Sequence, residues 1–434
     1  MSPSRYDLTR QQVAELLDGT PRYRTDQVWE GMYRDCSEPD DWTTLPRALR
    51  ERLSESLPRA LTEVLRSVSD DGQTIKYLWE LADGNRLETV LMLYPDRATV
   101  CVSSQAGCAM ACSFCATGQA GFSRHLSVGE IVEQVALARR DAAGVDRRVS
   151  NIVFMGMGEP LANTEPVFEA CRRIHDDLGI SARSITVSTV GVVPGIRALA
   201  EFELPVNLAV SLHSADDASR DPIVPINRRY PLDAVIGACQ DYLRARRRRV
   251  SFEWAMISGV NDRAEDAELL AGLCHRLEPS AHVNLIPLNP TPGYATVGSG
   301  HQTVRGFQRH LENLGVNATI RRNRGTEIDA ACGQLAAQAV SIGRRPEGNR
   351  QTTSSARTTY PGLTTDSWSS TSSPSELRSR ESRARSPLRI SSTRRLWSDT
   401  PMSTSRSRRR LASFGLSSAS RAIISRTEAR SRRR

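Results

Sequence analysis

Four hundred and thirty-four residues, at roughly 150 per domain, allow two or three domains and a sizeable core, which excludes a disulfide-held miniature fold. With 39% hydrophobic and 25% charged residues the composition is that of a soluble globular chain, and no stretch approaches the ~18 uninterrupted apolar residues of a membrane span. The net charge of +9 comes from residues 343–434, which hold 21 Arg against six acids; the first 342 residues carry 37 basic and 43 acidic groups, so global charge does not mark them as a nucleic-acid binder.

The amino terminus, MSPSRYDLTRQQVAELL, has no apolar signal core, so a cytoplasmic location is expected, with nine cysteines kept reduced and available for metal or redox chemistry. Residues 1–70 read as a small helical accessory domain built from QQVAELLD, TDQVWEGMYRD and LPRALRERLSESL. Residues 71–97 read as a β-hairpin linker, TIKYLWEL and RLETVLMLY around Asp83-Gly84-Asn85, and contain Lys76, the only lysine of the chain. Over 98–342 the runs ATVCVS, NIVFM, SITVST, VNLAVSL, VSFEWAMI, HVNLIPL and VNATIR alternate with helical patterns. One of these carries the capping box Ser127/Glu130 and another starts at Pro231. Repeated βα units imply an α/β fold with a parallel sheet, open or rolled into a full or partial barrel, whose chemistry sits at the strand C-termini. Residues 343–434, rich in Ser, Thr and Arg and poor in aliphatics, read as a disordered tail, either an RNA-attracting arm or a stretch that is not native.

Cys108-Ala-Met-Ala-Cys112-Ser-Phe-Cys115 follows the first of these strands. Three thiols this close in a reducing compartment read as a metal site. Zinc wants a fourth ligand, for which His125 is the nearby candidate, whereas a [4Fe-4S] cube held by three thiolates keeps one iron open. Gly156-Met-Gly158-Glu159-Pro160 follows NIVFM, and Ser188, Ser211-Leu212-His213 and Asn289 each end or follow a later strand. Each of these residues on its own is compatible with a turn or a cap. Their shared place at strand ends suits one common cofactor mouth.

The three-cysteine loop after the first strand of a βα repeat resembles the radical S-adenosylmethionine (SAM) enzymes. CVSSQAGCAMACSFCATG, FMGMGEPL, VSTVGVVP, LAVSLHS, NLIPLNPTPG and DAACGQL together resemble the bacterial ribosomal RNA adenine-C2 methyltransferases, which also act on transfer RNA. The resemblance runs from the N-terminal helices to about Leu335. It implies a partial (β/α) barrel and a [4Fe-4S] cluster on Cys108, Cys112 and Cys115. It further implies SAM bound by Gly158, Glu159, Ser188, Ser211, Leu212, His213 and Asn289, with two SAM consumed per turnover. Adenine C2 is electron-poor and cannot attack the methyl of SAM, so a carbon radical is required. The resemblance makes Cys332 the residue that takes a methyl from one SAM as a nucleophile. A deoxyadenosyl radical from a second SAM then activates that methyl group for addition to C2. Cys101 resolves the adduct by a transient disulfide with Cys332, and Glu88 accepts the C2 proton. From position alone, Cys101 would be a buried small hydrophobe and Glu88 a solvated strand residue. Cys36, Cys171, Cys239 and Cys274 match nothing in the family and read as packing or surface thiols.

The expected partners are 23S ribosomal RNA, transfer RNA and an electron donor such as flavodoxin or ferredoxin, with no membrane and a monomeric state. Arg321-Arg322-Asn323-Arg324-Gly325, before Cys332, is a candidate phosphate contact, and the N-terminal helices are a second RNA-gripping element. The target adenine is expected to be flipped out of a single-stranded loop. Two alternatives stay open: a resistance-type homologue that methylates C8 of the ribosomal adenine, and a non-catalytic iron-sulfur RNA-binding protein or redox sensor.

Overall fold

The structure is a computed structural model that describes residues 3–291 and 293–337; the expected disordered tail lies outside the described residues. Helices α1 (Arg10–Leu16), α2 (Tyr23–Tyr33) and α3 (Arg47–Ser56) come first, α1 opened by a Thr9/Gln12 capping box. They share one continuous core with the sheet and helices that follow, a cluster that includes Val13, Val28 and Met32 together with Val135 and Ile174. The buried Arg173 fixes this junction by donating to the carbonyls of Tyr6 and Leu8 at 2.6 and 2.8 Å.

Strands β1 (Leu61–Ser69), β2 (Thr74–Leu81) and β3 (Arg86–Leu93) form an antiparallel meander. The first falls inside the stretch read as helical, and that reading is corrected here. Pro58 stops the helix, the β-branched Thr62, Val64 and Val68 favour a strand, and a bulge between Glu63 and Leu65 breaks the alternation that would have announced it. The meander pairs with β4 (Ala98–Cys101). After β4 come a small ribbon of β5 (Gln105–Gly107) and β6 (Phe122–His125), with the helical turn α4 (Ala116–Gln119) between its strands.

The remaining strands are β7 (Val149–Phe154), β8 (Ile185–Thr189), β9 (Asn207–Ser211), β10 (Val250–Met256), β11 (His282–Pro287) and β12 (Ala318–Ile320). With β4 they are the seven expected parallel strands, giving a mixed ten-stranded sheet in the order β1-β2-β3-β4-β7-β8-β9-β10-β11-β12. Their connections include α5 (Val128–Gly144), α6 (Thr164–Asp176), α7 (Val193–Glu201), α8 (Asp217–Arg220), α9 (Leu232–Arg246), α10 (Ala264–His275) and α11 (His301–Asn313). The Ser127/Glu130 capping box forms, and Pro231 stands at the start of α9, as read from sequence. β1 and β12 do not pair as strands. Instead the chain after β12 crosses to the first strands, where Gly325 N donates to Asp70 and Ser69 Oγ to Glu327, at 3.0 and 3.2 Å. Among the described residues no helix is long and apolar enough to cross a membrane.

Candidate active site

The C-terminal ends of β7 to β11, the cysteine loop and the chain beyond β12 enclose a cavity of about 150 Å³. Cys108, Cys112 and Cys115 line it together, with Gly158, Glu159, Ser188, Ser211, His213, Asn289 and Cys332. Leu212, Cys101 and Glu88 do not: Leu212 and Glu88 are almost fully buried and Cys101 lies 7% exposed at the end of β4.

The cysteine loop is seated by its own apolar residues. Cys112 and Phe114 pack with Ile223, Val224, Ala255 and Ile257, while Cys108 N donates to Gly121 O at 2.7 Å. Burial pushes the Cys108 thiol up to about 12 and raises Cys112 as well, so thiolates here require a cationic centre beside them. Three thiols lining one cavity are a donor set that fits an iron-sulfur cluster. Among the described residues no three His, Cys, Asp or Glu side chains converge on the position of a single metal ion, so these thiols share the cavity without closing on one ion. His125, the candidate fourth zinc ligand, is off the cavity, its Nδ1 3.1 Å from Gln105 Nε2. The zinc reading loses its fourth ligand.

Gly156 and Gly158 let the turn after β7 lie against the end of β4. A Cβ on Gly156 would stand 2.7 Å from the Val102 carbonyl, and one on Gly158, at φ +101°, 2.5 Å from Gln105 Cβ. Glu159 is buried, with Oε1 accepting from Leu161 N at 3.0 Å and Oε2 from Val190 N at 2.9 Å. Burial raises its carboxyl to about 7 against these hydrogen bonds. Ser188 and Ser211 lie side by side, Oγ to Oγ 3.5 Å. His213 adopts φ 61°, a strained conformation for a non-glycine residue; its Nδ1 accepts from Ala255 N at 3.0 Å and its ring packs edge-on against Phe114. Burial, then Arg220, lowers this imidazole to about 3, so it is neutral.

Two charged residues here, Arg220 and Glu253, escaped the sequence reading, and a third, Arg321, was given a different role. Arg220 is fully buried and donates to the carbonyls of Leu212, Val190 and Ser211, tying the ends of β8 and β9 together. Glu253 on β10 lines the cavity and accepts from Asn284 Nδ2 at 2.8 Å. Arg321, read as a phosphate contact, instead turns into the cavity and pairs with Glu253 at 3.2 Å. Cys332 and Cys101 are both among the groups that raise its guanidinium, Cys332 most of all. Arg324 lies over the Tyr94 ring, and Arg322 is exposed.

The segment bearing Cys332 closes this side. Asn289 Nδ2 donates to Cys332 O at 3.0 Å and Ala116 N to Gly333 O at 2.8 Å. Cys101 is a free thiol, pushed up to about 12 by burial and then by the neighbouring Cys332. Glu88 is 1% exposed rather than solvated, with Oε1 3.1 Å from Lys76 Nζ and Oε2 accepting from Ala336 N at 3.0 Å.

Residues 102–270 match the model of the Radical SAM superfamily. A probable dual-specificity RNA methyltransferase RlmN of Frankia alni is 52% identical over 352 residues, 78% of this chain and 83% of the relative. Its counterpart from Frankia casuarinae is 50% identical over 361 residues, 80% of this chain and 85% of that one. The crystal structure of a radical SAM methyltransferase from Sphaerobacter thermophilus superposes with a TM-score of 0.75 at 47% identity, covering 77% of this chain and 99% of that one.

Proposed function

Because the chain belongs to the radical SAM dual-specificity RNA methyltransferases, we propose that it methylates C2 of one adenine in 23S ribosomal RNA and of one in a transfer RNA anticodon loop, carrying the methyl group on Cys332. The observation that carries this reading is that Cys332 lines the same cavity as Cys108, Cys112 and Cys115. Those three thiolates hold a [4Fe-4S] cluster which, when bound and reduced by a donor such as flavodoxin or ferredoxin, supplies the electron that turns SAM into a source of a carbon radical.

Gly158, Glu159, Ser188, Ser211, Leu212, His213 and Asn289 bind SAM. Leu212, whose side chain points away from the cavity, acts through its backbone. Neutral His213 offers an N–H, since its Nδ1 is already an acceptor. Cys332 takes a methyl from one SAM as the nucleophile, and the second SAM serves to activate that methyl carbon for addition to adenine C2. As Cys101 bonds to the Cys332 sulfur to close a disulfide, the bond from that sulfur to the methylene carbon breaks and the carbon left on C2 takes up a proton to become the methyl group. Glu88 accepts the C2 proton, and the one electron left over from radical addition returns to the electron carrier.

Peptide-mapping mass spectrometry of anaerobically purified, cluster-loaded protein tests this. The expected result is one added methyl on Cys332, and mass mapping of the product RNA places the new methyl at C2. A methyl at C8 assigns the resistance-type chemistry instead. An unmodified Cys332 in loaded protein supplied with SAM overturns the carrier mechanism.

A further inference from the structure

Lys76 sits on β2 diagonally across the antiparallel pair from Glu88 on β3, in the register Lys76↔Val90 and Leu78↔Glu88. Both side chains are buried, 6% and 2% exposed. A buried ammonium and carboxylate are costly to desolvate and need all their hydrogen bonds met. These are met by one stretch of chain. Lys76 Nζ donates to Asp329 O at 3.3 Å, three residues before Cys332, and Glu88 Oε2 accepts from Ala336 N at 3.0 Å, four residues after it. The stretch is bent at both gripped ends, with Asp329 at φ 52° and Ala337 at φ 54°, conformations that persist in non-glycine residues only when their surroundings impose them.

We infer that Lys76 is a positioning residue: with Glu88 it clamps the chain on both sides of Cys332, so that one buried ion pair sets both the proton acceptor and the methyl carrier. This rests on the roles given above to Cys332 and Glu88. In the resting arrangement Ala336 N occupies Glu88 Oε2, so the clamp must open at its Ala336 side before that oxygen can meet a substrate proton. Lys76 keeps the carboxylate in place while it does so. Burial raises the Glu88 carboxyl, and Lys76 is the strongest opposing influence.

The test uses full-length, cluster-loaded protein in which Lys76→Met and Lys76→Arg are compared with wild type. Single-turnover methyl transfer from the Cys332-methylated enzyme to an anticodon stem-loop RNA is expected to slow about 100-fold in Lys76→Met, the effect of a misplaced reacting group, while RNA affinity shifts by less than ~3-fold. In unmethylated protein, hydrogen exchange at the Ala336 amide is expected to quicken about tenfold as the loosened segment samples open states, whereas Cys332 itself is already exposed at rest. Lys76→Arg, which keeps the charge, recovers most of both. Lys76→Met with turnover and Ala336 exchange both within ~2-fold of wild type overturns the inference, and so does slow turnover with unchanged exchange. If Lys76→Met fails to take up its cluster, hydrogen exchange in the wild-type protein decides. A protected Ala336 amide that becomes exposed on RNA binding supports the clamp, and an amide unprotected at rest overturns it. Cys332→Ala separates the two layers: if it still methylates RNA, the carrier reading fails, while hydrogen exchange at the Ala336 amide continues to report on the clamp.

Discussion

The cysteine loop and the Cys332 segment meet in one cavity but are held there by different forces. The loop is sunk in an apolar cluster of Phe114, Ile223, Val224, Ala255 and Ile257, and it is spanned by the paired strands β5 and β6. The Cys332 segment lies beyond the last strand and is pinned largely by single hydrogen bonds, from Lys76, Asn289, Ala116, Thr117 and Ala336, with Leu335 as its one large apolar anchor. Apolar burial is undirected and is lost only by unfolding, whereas hydrogen bonds can be exchanged one at a time. A cofactor platform needs the first kind of support and a residue that changes covalent partner in each cycle needs the second.

The sharpest way to break this contrast is to attack the platform. Cys112→Ala is expected to reduce iron content and visible absorbance to background, and with them all methylation, because the remaining two thiols cannot retain the cluster. Cys332→Ala is expected to keep iron and SAM binding at wild-type levels while RNA methylation falls below about a thousandth, read by methyl incorporation from labelled SAM. Cys101→Ala should instead let the reaction run to the crosslink and stop, so that denaturing gels show protein covalently joined to RNA. Arg220→Met strips a buried charged donor from the carbonyls of Leu212, Val190 and Ser211 and is expected to cost roughly 4 kcal/mol, seen as a lower Tm. If Cys332→Ala lost iron to the same extent as Cys112→Ala, the two regions would not be separable.

The smallest effect sharpens the background against which both regions are held. Glu133, 1% exposed on α5, accepts from Ala60 N at 2.6 Å, and burial raises it to about 7. A carboxyl raised on folding favours the folded state while protonated, so this contribution is intact below about pH 4.5 and is lost as pH rises towards 7. Glu133→Gln should remove that loss, so that chemical denaturation at pH 8 shows the variant gaining on wild type by on the order of 3 kcal/mol relative to their difference at pH 4.5. A pH-independent difference would show that Glu133 is not the titrating group.

Much of the sheet was legible because buried parallel strands are continuous apolar runs, as in NIVFM and HVNLIPL, and the three-thiol spacing is local in sequence. β1 was not, since its bulge removes the period on which strand recognition depends. Arg220, Glu253 and Arg321 were illegible for another reason. In a chain whose cations are almost all arginine, a buried Arg looks like a surface one, and only the fold brings Arg321 to Glu253 across 68 positions. Glu88 shows the same gap. Its strand was readable, but the cover over it is supplied by Ala336, 248 residues away.

Asn289 has one side-chain amide, and in this arrangement the amide is committed to the Cys332 carbonyl, while its oxygen accepts from Asn323 at 2.6 Å. The amide nitrogen carries two N–H groups, one given to the Cys332 carbonyl and one left for a ligand, so ligand binding and carrier motion act on the orientation of the same side chain. The two events are then thermodynamically linked: whatever factor the ligand contributes to loosening the segment, a loosened segment returns to the ligand's affinity. Cofactor exchange and carrier motion would then be coupled through one side chain.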